Sequence, residues 1–239
     1  MDRLDRLTEP GLDLLGRVDT LLAAGVPEGH PVWPLLRRMR ALPGEAVRTF
    51  LDLHPAPLAE AGRAVRQLVR RYDDACAALT DQAAWSGPAA SAYGEVRAEL
   101  LRHLDEGPDS LVGRLESTAG YADALADWTE RSRLALARTL ADVLGSAEAV
   151  TVVTATGGGQ AGAGGSGSGQ AGAAGPGGGA SARAAAEIAA RVLAVLSVAY
   201  DGAETLLRQW APSLAEASWR SRPRGSSGSD PLRVRWRDD

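Results

Sequence analysis

Lysine is absent from the 239-residue chain, so all 26 basic side chains are arginine. A phosphate-binding P-loop needs a lysine and is excluded. Cysteine occurs once, at Cys76, which rules out an internal disulfide and any multi-cysteine metal site. Aromatic residues make up only 5%, Phe50 is the single phenylalanine and Ile188 the single isoleucine. Sheet-forming residues are therefore scarce, apart from a brief β-prone stretch over Thr151–Thr156. The longest apolar run, Val192 to Tyr200, is far short of the roughly 20 residues that span a bilayer, so no transmembrane segment is expected. Met1-Asp2-Arg3-Leu4-Asp5 shows no cationic stretch leading into an apolar one, so no cleavable general-secretory signal is expected. A net charge of −4 argues against general affinity for nucleic acid.

Catalytic constellations are missing too. His30, His54 and His103 lie in separate segments without ligand-like spacing. Neither a Gly-x-Ser-x-Gly elbow nor a His-Glu-x-x-His pair occurs. The acidic neighbours Asp73-Asp74 and Asp105-Glu106 fall on a polar helix face and in a helix breaker, where carboxylates are solvated. Gly162-Ala163-Gly164-Gly165-Ser166-Gly167 fits the letters of a dinucleotide fingerprint. It lies inside a long glycine tract, whereas the fingerprint needs one tight turn opening directly onto a helix. No catalytic residue, metal or cofactor is expected.

What the chain has is alanine, and a hydrophobic content of 45% that is largely small. Alanine favours helices lying close together. The expected fold is all-α: an antiparallel helical hairpin or bundle with extra N-terminal helices, a Gly-rich linker and one C-terminal helix. Residues 1–56 read as short helices packing on the hairpin. The first is expected to be capped by Thr8, with Pro10 in its first turn. Residues 57–149 form the hairpin. Leu58, Ala61, Val65, Leu68, Tyr72, Ala75 and Leu79 recur at alternating steps of three and four, a heptad seam. The pattern breaks at Trp85-Ser86-Gly87-Pro88 and resumes as Ala89, Tyr93, Val96, Leu100 and Leu104. After Gly107-Pro108, where Asp109 or Ser110 can cap, a rod runs from Leu111 to Leu144. Residues 150–180 read as a flexible Gly/Ala/Ser linker, 181–217 as a helix that either docks back or stays mobile, and 218–239 as a disordered arginine-rich tail. Cys76 falls among apolar helix positions and reads as a buried structural thiol.

The stretch Trp85-Ser86-Gly87-Pro88-Ala89-Ala90-Ser91-Ala92-Tyr93 sits between two heptad-patterned helices. Glycine permits the reversal, proline starts the second helix and small alanines let it lie tight against the first. This region, roughly Leu58 to Leu144, resembles the WXG family (ESAT-like), helical-hairpin substrates of type VII secretion, in its actinobacterial form. The resemblance implies a turn recognised by the secretion apparatus, with a seam of Leu58, Val65, Leu68, Tyr72, Leu79, Tyr93, Val96 and Leu100. It also implies protein partners, either type VII components or a sister WXG-like chain, in a homo- or heterodimer. Family members often carry a Tyr-x-x-x-Asp/Glu export signal, and Tyr200 to Glu204 fits its letters, although beyond the linker and not beside the hairpin. The implied function is a non-enzymatic secretion substrate or secreted binding protein, made in the cytoplasm and exported without a cleavable signal. The alternative is a cytosolic scaffold or adaptor that binds a partner helix along the heptad seam.

Overall fold

The computed structural model describes residues 2–80, 86–157 and 176–216, and every regular element among them is an α-helix. The all-α class expected from composition is the observed one. Trp85, the Gly162–Gly167 tract and the arginine-rich tail lie outside the described residues.

Helix α1 spans Arg3–Ala24 and begins earlier than Thr8. Asp2 caps it: its carboxylate accepts from the Asp5 N–H at 2.9 Å, and the Asp5 carboxylate accepts from the Asp2 N–H at 2.8 Å. This reciprocal box satisfies two donors of the first turn, so the helix starts there and runs through Pro10. The Thr8 hydroxyl instead donates to the Leu4 carbonyl. Helices α2 (Val32–Met39) and α3 (Pro43–Leu51) follow. Pro43 opens α3, and the Gly44 N–H donates to both oxygens of Asp19, a cap lent by α1 across the tertiary fold. Helix α4 (Pro55–Thr80) includes Pro55 and Pro57 in its first turn, where a missing N–H costs little.

Helix α5 covers Pro88–Asp105 and α6 covers Leu111–Leu144. Between them Gly107 adopts φ +89° and the buried Ser110 caps α6, its hydroxyl accepting from the Gly113 N–H at 3.0 Å. Helix α6 is the spine, about 50 Å long at 1.5 Å per residue. Val112, Ala119, Ala126, Arg133 and Leu140 form one buried row, seven residues apart. A second buried row, Thr129, Leu136 and Val143, begins only halfway along. The first half of α6 is covered by α4 and by the end of α8, and the second half is enclosed by α1, α7 and α8.

Residues 147–157 are α7 (Ala147–Gly157), which corrects the β-prone reading of Thr151–Thr156. Isolated β-propensity gives way to packing here: Ala149 and Val152 are buried against the core. The Thr151, Thr154 and Thr156 hydroxyls donate to carbonyls one turn back, which satisfies them inside the helix. Helix α8 spans Pro176–Glu216, so helix occupies both ends of the expected linker 150–180. It also runs through Pro212.

Helix α8 docks rather than standing apart. Ile188, Val192, Leu193 and Leu196 are fully buried with Leu15, Val18 and Phe50 from the N-terminal helices. Beyond Ala199, α8 continues antiparallel along α6. The Trp128 indole N–H donates to the Ala199 carbonyl at 3.0 Å, and Trp210 lies over Gly120 and Tyr121. The main hydrophobic core thus joins α1, α2, α3, α7, α8 and the second half of α6, and contains no residue of α4 or α5. Within the expected hairpin region 57–149 the core therefore lies at the far end of α6 and the start of α7, not along the heptad stripes of α4 and α5. The physical reason is bulk on the N-terminal side: α1 is dense in leucine, α3 supplies Val47 and Phe50, and the Ile188, Val192, Leu193 and Leu196 face of α8 covers them.

Candidate interaction surface

Helices α4 and α5 form an arm on the first half of α6. Helix α4 runs antiparallel to α6, with Gly62 against the Ala119 carbonyl and Asp123, and an Arg66–Asp123 ion pair beside it. Its buried residues are Gly62, Val69 and Cys76, with Leu58, Val65, Tyr72 and Leu79 half-buried between them. Of the expected seam, those four face the body. Leu68 is 42% exposed, and Ala61 and Ala75 are exposed as well. The working row is therefore shifted by one residue from 61/68/75 to 62/69/76. A Cβ at 62 would lie 2.6 Å from the Asp123 carboxylate and in ordinary contact with the Ala119 carbonyl at 3.5 Å, so glycine there leaves room for Asp123 beside Arg66.

Helix α5 follows Gly87, whose φ of +116° is open to glycine, and Pro88 at its first position. Ser86 and Gly87 are exposed, and the Gly87 carbonyl accepts from the Ser91 N–H at 3.1 Å. No residue of α5 is fully buried. Its half-buried row is Ala90, Gly94, Arg97, Leu101 and Leu104. The more apolar row looks outward: Tyr93 is 51% exposed, Val96 68% and Leu100 42%. Those three residues, expected in the seam, form a surface ridge instead. On the inward side the Arg97 Nε is buried with no hydrogen-bond acceptor among the described residues. A buried unsatisfied donor costs about 1–3 kcal/mol, and the outward valine and leucine forgo burial as well. Local preference and packing disagree on this helix.

At the end of α4 away from the core, Cys76, Ala77 and Thr80 share a surface hollow with Leu101, Asp105 and Glu106. Burial pushes the Cys76 thiol above its ordinary pKa, and the Asp105 and Asp73 charges add to the rise. A neutral thiol is a poor nucleophile. Tyr200 and Glu204 are exposed one turn apart on α8, with Glu204 4.0 Å from Arg208.

One charged cluster was not read from sequence. Arg133, 2% exposed, sits in the buried row of α6. Its guanidinium donates to Asp2 and Asp5 at 2.6 Å each and to the Leu51 and Leu53 carbonyls at 2.9 Å each. It ties the start of α1 to the end of α3. The Arg133 hydrogen bonds, with help from backbone N–H groups, bring Asp2 down to a pKa of about 2 against the opposing effect of burial. The available signal was an arginine seven residues from both Ala126 and Leu140 on an otherwise uncharged row.

A larger hollow of about 1190 Å³ opens between the end of α1 and the first turns of α8. Its carboxylates, Glu148 and Glu187, both pair with Arg191 at 3.4 and 3.6 Å. Among the described residues no group of three or more His, Cys, Asp or Glu could hold a metal ion, and no helix is long and apolar enough to cross a membrane. Comparison with protein-family models, curated proteins and solved structures finds no match for this chain.

Proposed function

We propose that this chain is a non-enzymatic helical binding protein of the WXG-like type, exported by a type VII system, whose α4–α5 arm presents an apolar ridge to a partner helix. The observation that carries the binding reading is the orientation of α5, which turns Val96 and Leu100 outward while Arg97 faces in. The outward steps from Ala89 through Tyr93 and Val96 to Leu100 alternate four, three and four, the spacing that matches another amphipathic helix. The export reading rests on the Trp85-Ser86-Gly87 resemblance, supported by a glycine at positive φ and a proline opening the next helix. Tyr200 and Glu204, exposed on α8, are the proposed export signal.

Comparing culture supernatants from strains with and without the secretion ATPase tests the export reading. ATPase-dependent release is expected, and Tyr200→Ala should reduce it. Equal release from both strains, or none from either, refutes it and leaves a cytosolic adaptor using the same ridge.

A further inference from the structure

The ridge has a candidate receptor on the same molecule. Helices α6 and α8 leave a groove of about 410 Å³ lined by Trp128, Ala135, Ala194, Val195, Val198 and Ala199. Val198 is 71% exposed, and alanines on both helices let a third helix approach closely. At native packing density the volume accommodates roughly two or three large side chains. Arg131 stands exposed at its rim. On the ridge, the carboxylate of Glu95 is exposed immediately beside Val96. The apolar ridge thus carries the exposed Glu95 beside it, and the apolar groove the exposed Arg131.

Within one chain the ridge belongs to the α4–α5 arm and the groove to the α6–α8 face, with no contact of α5 among the groove-lining residues. We infer that the α5 ridge of one copy seats in the α6–α8 groove of a second copy, Val96 and Leu100 inserting beside Trp128 with Glu95 facing Arg131. This inference rests on the reading of α5 as a binding helix and names its partner. The two surfaces differ, so the contact is heterologous: a reciprocal pair closes into a dimer, and a one-sided contact propagates.

Light scattering of the full chain over about 5–500 μM should show mass rising above the 24.8 kDa of one copy. Val96→Glu on the ridge and Val198→Glu in the groove should each weaken association at least about tenfold. Mixing the two variants is decisive. Val96→Glu retains an intact groove and Val198→Glu an intact ridge, so together they should form a one-to-one complex that neither forms alone. Both positions are exposed, and unchanged helical circular dichroism checks the fold. If either variant loses helicity, Leu100→Glu or Ala194→Arg takes its place in the same mixture.

A wild-type chain that stays monomeric throughout overturns the inference. So does a mixture that fails to associate. Association lost with Val96→Glu and kept with Val198→Glu means ridge pairs with ridge, which overturns the groove assignment while leaving α5 a binding helix. Association indifferent to both variants sinks the binding helix as well.

Discussion

Replacing Arg133 by alanine tests how the N-terminal helices are held. The side chain is 2% exposed and makes four hydrogen bonds, two to carboxylates and two to carbonyls. Breaking a buried ion pair from one side costs about 3–5 kcal/mol when the remaining charge stays buried. Here the remaining charges are not sealed in, because the Asp2 and Asp5 side chains are 43% and 28% exposed and can recover water. The Leu51 and Leu53 carbonyls lose a donor, and the cavity left by a large side chain adds a further penalty. A loss of about 3 kcal/mol is therefore expected, a large share of the 5–15 kcal/mol typical of a folded domain. Arg133→Lys should lie between, since one ammonium lacks the planar fork that reaches four acceptors. Urea unfolding followed by circular dichroism measures the loss, and hydrogen exchange should show it first at the start of α1 and the end of α3. A loss below about 1 kcal/mol for alanine, with unchanged exchange there, would refute the clamp.

Asp2 titrates at about 2 when folded against an ordinary value of 3.8, so its contribution is complete above 3.8 and vanishes as pH falls toward 2. Asp2→Asn should flatten the melting temperature over that acid window, and an unchanged profile would contradict it. Asp19 shifts the other way, raised chiefly by burial against the favourable Gly44 N–H. Its ionised form therefore weakens the fold near neutrality, and Asp19→Asn, which keeps an acceptor for Gly44, should raise the melting temperature at pH 7 with the gain fading in acid. Gly113→Ala would place a Cβ 2.6 Å from the Gly107 carbonyl oxygen and 2.9 Å from Pro108 backbone atoms, so it should lose about 1–3 kcal/mol despite alanine's helix propensity. Gly94→Ala meets nothing within 4 Å and should gain up to about 1 kcal/mol in the same denaturation assay.

By itself the sequence determined the helical class. Scarce β-branched and aromatic residues, abundant alanine and long three-four spacings leave a helix as the only regular structure the backbone readily adopts. It also located the breaks, because Gly87-Pro88 and Gly107-Pro108 carry their conformational demands in the residue types themselves. Tertiary structure decided which face of each helix is used. On α4, rows 61/68/75 and 62/69/76 are both compatible with a heptad, and packing on α6 buries the second. On α5, Arg97 faces in and Val96 out, a choice invisible to periodicity because the two rows lie one residue apart. Threonine-rich α7 is helical where Ala149 and Val152 join the core shared with α1 and α8, and Arg133 became a clamp only because distant Asp2 and Asp5 meet it. Local propensity is a property of neighbours along the chain, whereas burial and charge pairing depend on neighbours that only folding supplies.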